Sequence, residues 1–227
     1  MLLTRRLKVI VTLAILSTPL FPRLACSQDS STPDSRVESE LAAMGKRGAV
    51  IARARDQVLT ILQEENACTA WFRQADPDPA GVFQSLHYEI GSGKPAYIFR
   101  MADGRGEQFF KQPWAARTTE NGGPNSTVEL NANGPFFNYI SPVMEVRPGG
   151  IPVRPAGLQR LAIASFRGET NEAQMTALLH ELGHIIGRLP EDDDSWDGRS
   201  SRNTAEVLRH CKDEIRRKAK GSSQRTD

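Results

Sequence analysis

With 227 residues, 39% of them hydrophobic and 25% charged, the chain has the make-up of one globular domain with tails. Its formal charge of +2 comes from the N-terminus, where Arg5, Arg6, Lys8 and Arg23 face no acids; without residues 1–27 it holds 25 basic against 27 acidic residues, a net of −2. That balance offers no basic excess for nucleic acid or an anionic membrane, so neither is expected as a partner.

Three cationic residues, an apolar stretch from Val9 to Phe21 and the small residues Ala25, Cys26 and Ser27 form the layout of a secretory signal peptide over 1–27. The apolar stretch is too short for a comfortable membrane span. An exported protein, periplasmic or secreted, is expected. A lipid anchor on Cys26 is the alternative, against which Arg23 stands where such sites want an apolar residue. Cleavage after Ser27 leaves Cys68 and Cys211, an even count that favours one disulfide in an oxidising compartment; two buried free thiols are the alternative.

A Ser/Asp/Pro-rich flexible leader is expected over 28–36, one domain over 37–218 and a disordered tail over 219–227. Within the domain, apolar spacing predicts a helix over 37–72, weakened early by Gly45 and Gly48 and ended by Asp76-Pro77-Asp78-Pro79. Short apolar runs at 87–90, 96–101, 127–130, 135–140 and 161–166, broken by Gly, Pro and Asn, predict strands of a small, mostly antiparallel sheet. Helix returns at about Glu172, with Asn171 as its cap and Gln174 in the capping-box position, and closes at Gly187 and Pro190. Its apolar residues cover most of the circumference, so it should be central and buried. A last helix is expected over 204–218, capped by Asn203. The fold class is therefore α+β: a small twisted sheet packed on a central helix, with N-terminal and C-terminal helices.

The central helix carries His180-Glu181-Leu182-Gly183-His184, two of the chain's four histidines. Residues four apart share one helix face, so both imidazoles can reach one metal ion while Glu181 approaches a water on it. As core histidines bonded to backbone, His180 and His184 would leave unexplained a carboxylate beside them in an apolar helix, which is costly unless paired. A zinc ion accounts for all three residues together.

The run from Thr176 to Gly187 resembles the active-site helix of the zincin metallopeptidases. A longer pattern, His180 through Leu189-Pro190-Glu191-Asp192 to Ser200, Asn203-Thr204, Val207-Leu208 and His210-Cys211, resembles a group of exported bacterial metallopeptidases. The resemblance covers about the last quarter of the chain. It implies a twisted sheet over the active-site helix, hydrolysis of peptide bonds with one zinc, His180 and His184 as ligands and Glu181 as general base. The third ligand departs from the metzincin pattern. Gly187 is in place, but Pro190 occupies the ligand position and Asp192 stands two residues late. Asp192 is taken as the third ligand; Glu206, at the separation a gluzincin would use, and His210 are the alternatives.

A peptide or protein substrate follows, and zincins bind it as a strand added to a sheet edge, for which 131–135 is a candidate. Tyr139 is a candidate oxyanion donor. A non-catalytic, zinc-stabilised cell-envelope interaction module is the second reading, and hydrolysis of a non-peptide amide a third.

Overall fold

The computed structural model describes residues 33–93, 96–100, 108–147, 151–192 and 198–223, so the expected signal peptide lies outside the described residues. The fold is α+β, three small sheets among helices, with the histidine helix flanked by N-terminal and C-terminal helices. Among the described residues no helix is long and apolar enough to cross a membrane.

The long N-terminal helix is in fact three. Helix α1 (Pro33–Ala43) starts within the stretch expected as leader. Gly45 adopts a left-handed φ of 59° and turns the chain into α2 (Gly45–Gln63). Gly48 then lies so near the Leu41 carbonyl that a Cβ would sit 1.7 Å from its oxygen. The second break is a capping event. Asn66 accepts from the Thr69 amide at 2.8 Å and starts α3 (Ala67–Phe72), while its Nδ2 donates to the last turn of α2 at Ile61 O, 2.7 Å. Asp78 and Pro79, an N-cap followed by proline at the first helical position, open the short α4 (Pro79–Gln84) instead of only ending a helix.

Strands β1 (His87–Gly91), β5 (Thr127–Asn131) and β4 (Ala116–Arg117) form one sheet in the order β1-β5-β4, parallel between β1 and β5 and antiparallel between β4 and β5. A second sheet runs β3-β2-β6-β7 from β2 (Ala96–Arg100), β3 (Gln108–Lys111), β6 (Ile140–Arg147) and β7 (Ile151–Arg160); only its β2–β6 pairing is parallel. Pro152 and Pro155 lie in β7, an edge strand, the part of a sheet where proline is tolerated. The expected strand over 161–166 is a hairpin of β8 (Ala162–Ile163) and β9 (Phe166–Arg167). The run 135–140 is not a strand before Ile140. Asn138 Nδ2 donates to the Ala132 and Gly134 carbonyls and folds the segment into a turn that buries Phe136 completely. Its apolar pattern signals burial of a turn, not of a sheet face.

Helix α5 (Asn171–Ile185) is the centre of the molecule, buried at every position from Ala173 to Ile185. Around it pack α2, α6 (Arg199–Ser223), β4 and the β8–β9 hairpin. Thr170, not Asn171, caps α5, its Oγ1 accepting from the Ala173 amide at 3.3 Å. Gln174 instead reaches the Phe136 carbonyl, tying the helix to the buried turn. Helix α6 begins before Asn203 and runs into the stretch expected as tail; its inner stripe is Asn203, Val207, Cys211, Ile215 and Ala219, all buried at four-residue spacing. Cys211 forms the expected disulfide with Cys68, so α6 is bonded to α3 across 143 residues of sequence.

A smaller tie holds α1 on the first sheet. Glu40 accepts from the His87 ring at 3.1 Å and from Arg36. The His87 bond, opposed by burial and helped by Arg36, keeps the Glu40 carboxyl below its ordinary value. Glu40→Gln should therefore cost about 0.5 kcal/mol near neutrality, as a partly exposed pair does. Stability from a depressed carboxyl is present above its unfolded pKa and lost as pH falls through the folded one, so the difference should close on acidification. Urea unfolding of both chains from about pH 7 to about pH 3 checks this.

Candidate metal centre

The site is built where α5 ends. His180 and His184 sit one turn apart, ring centroids 4.7 Å and Nε2 atoms 2.9 Å from each other. Beyond His184 the chain reverses sharply. Gly187 takes a left-handed φ of 68°, its amide donates to the His184 carbonyl, and the Arg188 amide reaches back to Gly183 O at 2.8 Å, the paired bonds of a Schellman ending. Leu189 then folds over Gly183, where a Cβ would lie 2.5 Å from the leucine Cδ1. From across the fold, the Asn121 and Gly123 amides donate to the His184 and Ile185 carbonyls, so the last turn of the helix is closed by the loop between β4 and β5. Both glycines serve this reversal, and it returns Asp192 to the histidines.

Asp192 Oδ2 lies 2.9 Å from His180 Nε2, and Oδ1 lies 3.5 Å from His184 Nε2. One ligand atom from each of His180, His184 and Asp192 falls within 4.8 Å of the other two. Residues on α6 hold this arrangement: the Ser200 side chain hydrogen-bonds the Asp192 carboxylate, and Asn203 and Thr204 act beside it. Asn203 Nδ2 donates to Asp192 Oδ1 at 2.7 Å and to Pro190 O at 2.8 Å. Thr204 Oγ1 spends its one proton on the Ser200 carbonyl, 2.9 Å away, and so must accept from His180 Nδ1 at 3.1 Å. The hydrogen-bond network thereby assigns the His180 proton to Nδ1 and leaves the Nε2 lone pair facing His184 and the carboxylate.

That convergence decides what the site can do. A lone pair, a second imidazole nitrogen and a carboxylate crowd one point, and a single proton can bridge only one pair of them. A divalent cation satisfies all three at once, with the nitrogen and oxygen donors that suit zinc. The chain thus has a buried His/His/Asp cluster capable of holding a metal ion.

Burial would raise the Asp192 carboxyl, but the two imidazoles outweigh it and hold the group well below the usual carboxylate range. For His184, burial acts downward, and Asp192 and Glu181 more than reverse it, so its pKa is raised. The His184 Nδ1 is buried facing the Leu189 backbone without full hydrogen-bond geometry. Glu181 is buried to 5% exposure, and burial pushes its carboxyl up against the opposing pull of His180 and His184.

The other candidates lie elsewhere. Glu206 pairs with Arg209 and, at 3.3 Å, with His210, whose ring stacks on Trp71 at 5.1 Å; neither joins the His180 cluster. Tyr139 is 40% exposed with Arg167 over its ring at 4.8 Å. Asn131 ends β5, the middle strand of its sheet, and the residues after it turn, so 131–135 is not a sheet edge; β1 and β4 are the edges. His87 is the partner of Glu40. Asn203, expected as a helix cap, lies inside α6 and instead positions Asp192, and the part played by Thr204 had no signal beyond its place in the sequence pattern. No protein-family model, curated protein or solved structure matches the chain.

Proposed function

We propose that this cluster binds zinc and that the protein is an exported, zincin-type peptidase using Glu181 as general base. The observation that carries the reading is the number of ligands. Among the described residues the cluster has three members, the count of a catalytic zinc site with an open position, whereas structural zinc is closed by four. Zinc held there would supply a Lewis acid and make a bound water more acidic. Glu181, with no hydrogen bond to its carboxyl among the described residues and within electrostatic reach of both imidazoles, is free to take the proton of the attacking water and deliver it to the leaving amine. Strand β4, an edge of its sheet and packed on α5, suits a peptide added as a further strand. The Cys68–Cys211 bridge supports export, since such bonds persist in oxidising compartments.

The test joins zinc content by mass spectrometry to hydrolysis of a peptide library. Wild type and Glu181→Gln should each carry about one zinc per chain, and the variant should hydrolyse about 10²- to 10⁴-fold more slowly. Equal rates in the two would remove Glu181 from the chemistry. Tightly held zinc with no hydrolysis by wild type would leave the non-catalytic envelope module.

A further inference from the structure

We infer that Asn203 and Thr204 are positioning residues for the metal centre, Asn203 reserving one oxygen of Asp192 and Thr204 fixing the proton of His180 on Nδ1. The inference rests on metal binding by the cluster but not on peptide hydrolysis. Asn203 occupies the buried stripe of α6 at 5% exposure, in line with Val207, Cys211 and Ile215, where an apolar side chain would pack and a polar one is costly unless bonded. Both protons of its amide nitrogen go to the returning loop, one to Pro190 O and one to Asp192 Oδ1. That division makes the two carboxylate oxygens unequal. Oδ1 is engaged by the amide at 2.7 Å and stands 3.5 Å from His184 Nε2, whereas Oδ2 is the nearer oxygen, 2.9 Å from His180 Nε2; the Ser200 side chain adds a further hydrogen bond to the carboxylate. A carboxylate so held offers a metal one oxygen instead of two, which preserves an open position on the ion.

Thr204 acts on the other side of the cluster. Its hydroxyl proton is committed to Ser200 O, so its oxygen can only accept, and the imidazole must present its lone pair at Nε2. In the other tautomer His180 would aim a proton at the point where the three ligand atoms converge. The two residues are adjacent on one helix, and the disulfide at Cys211 anchors that helix two turns further on.

The experiment is a zinc competition titration against a chromophoric chelator on the full chain, with the visible spectrum of the cobalt-substituted protein beside it. Asn203→Ala and Thr204→Val should each bind zinc about 10- to 100-fold more weakly, as losses of such supporting bonds do. Thr204→Ser keeps the hydroxyl and should bind close to wild type. The cobalt spectrum of Asn203→Ala should weaken towards that of a higher-coordinate ion as Asp192 contributes both oxygens. Circular dichroism and thiol titration will show whether helices and disulfide are intact; if Asn203→Ala does not fold, the Thr204 pair carries the test alone. Wild-type affinity and spectrum in Asn203→Ala and Thr204→Val, or equal losses in Thr204→Ser and Thr204→Val, would overturn the inference. A wild-type chain that takes up no zinc would overturn it together with the peptidase reading, whereas tight zinc binding without hydrolysis would end that reading alone.

Discussion

Zinc added to the metal-free chain should raise its thermal unfolding midpoint, and Asp192→Ala or His184→Ala should abolish the rise. A ligand that binds only the folded state at about 100 times its dissociation constant stabilises by about 2.7 kcal/mol. For a chain of this length that is a shift of about 5 to 10 °C. The unfolded chain holds no preformed site, because His180 and His184 come together only on a formed α5 and Asp192 only after the reversal at Gly187. Glu206→Ala is the control. Its carboxylate is engaged with Arg209 and His210 away from the cluster, so this variant should shift as wild type does. A shift retained in Asp192→Ala and lost in Glu206→Ala would move the third ligand to the last helix. Differential scanning calorimetry of the four chains, with and without zinc, reads all of these outcomes.

What could be read from the chain without its fold was what depends on short spacing. The two histidines four apart, the apolar cover around them and the glycine that ends the helix are local features, and α5 forms where they predict it. The disulfide was legible by elimination, since only two cysteines follow the expected cleavage site. The sheets were less legible because their pairings are distant. Strand β1 runs parallel to β5 with other strands between them in sequence, and nothing near His87 announces Thr127 as its neighbour. The turn over 132–138 misled for a related reason: Phe136 is buried by long-range packing, which gives a turn the hydrophobic pattern of a strand.

The site divides in the same way. Asp192 stands two residues beyond the position the metzincin pattern would use, which Pro190 fills. The chain accommodates that lengthening because Leu189 lies flat over Gly183 and Asn203 grips the Pro190 carbonyl. Neither contact has a spacing rule that could have been applied beforehand. Asn203 looked like a helix cap because Asn is common there, and it was displaced from that part when α6 began at Arg199.

Removing the disulfide should have the largest effect on the fold. The double variant Cys68→Ala, Cys211→Ala releases a loop spanning 143 positions, and the chain-entropy account sets the cost at about 5 kcal/mol, an upper figure if the unfolded chain is compact. Against a total stability of about 5–15 kcal/mol that is enough to unfold a large fraction of molecules. Other links between α6 and the N-terminal helices are weaker in kind: Arg217 and Lys218 pair with Glu64, and although Lys218 is half-buried, Arg217 and the shared Glu64 are open to solvent, which screens the pairs. The apolar stripe of Val207 and Ile215 remains, so the helix should persist while its seat loosens. Since Asn203 and Thr204 ride on the same helix, zinc affinity should fall with stability even though no ligand is changed. Both cysteines are fully buried, so a reductant reaches them only after the chain opens, and substitution tests the bridge where mild reduction would not. Urea unfolding of the double variant should give a lower midpoint, and saturating zinc should restore part of it. An unchanged midpoint would mean that packing alone holds α6 against α3, and the bridge would then protect the fold only kinetically.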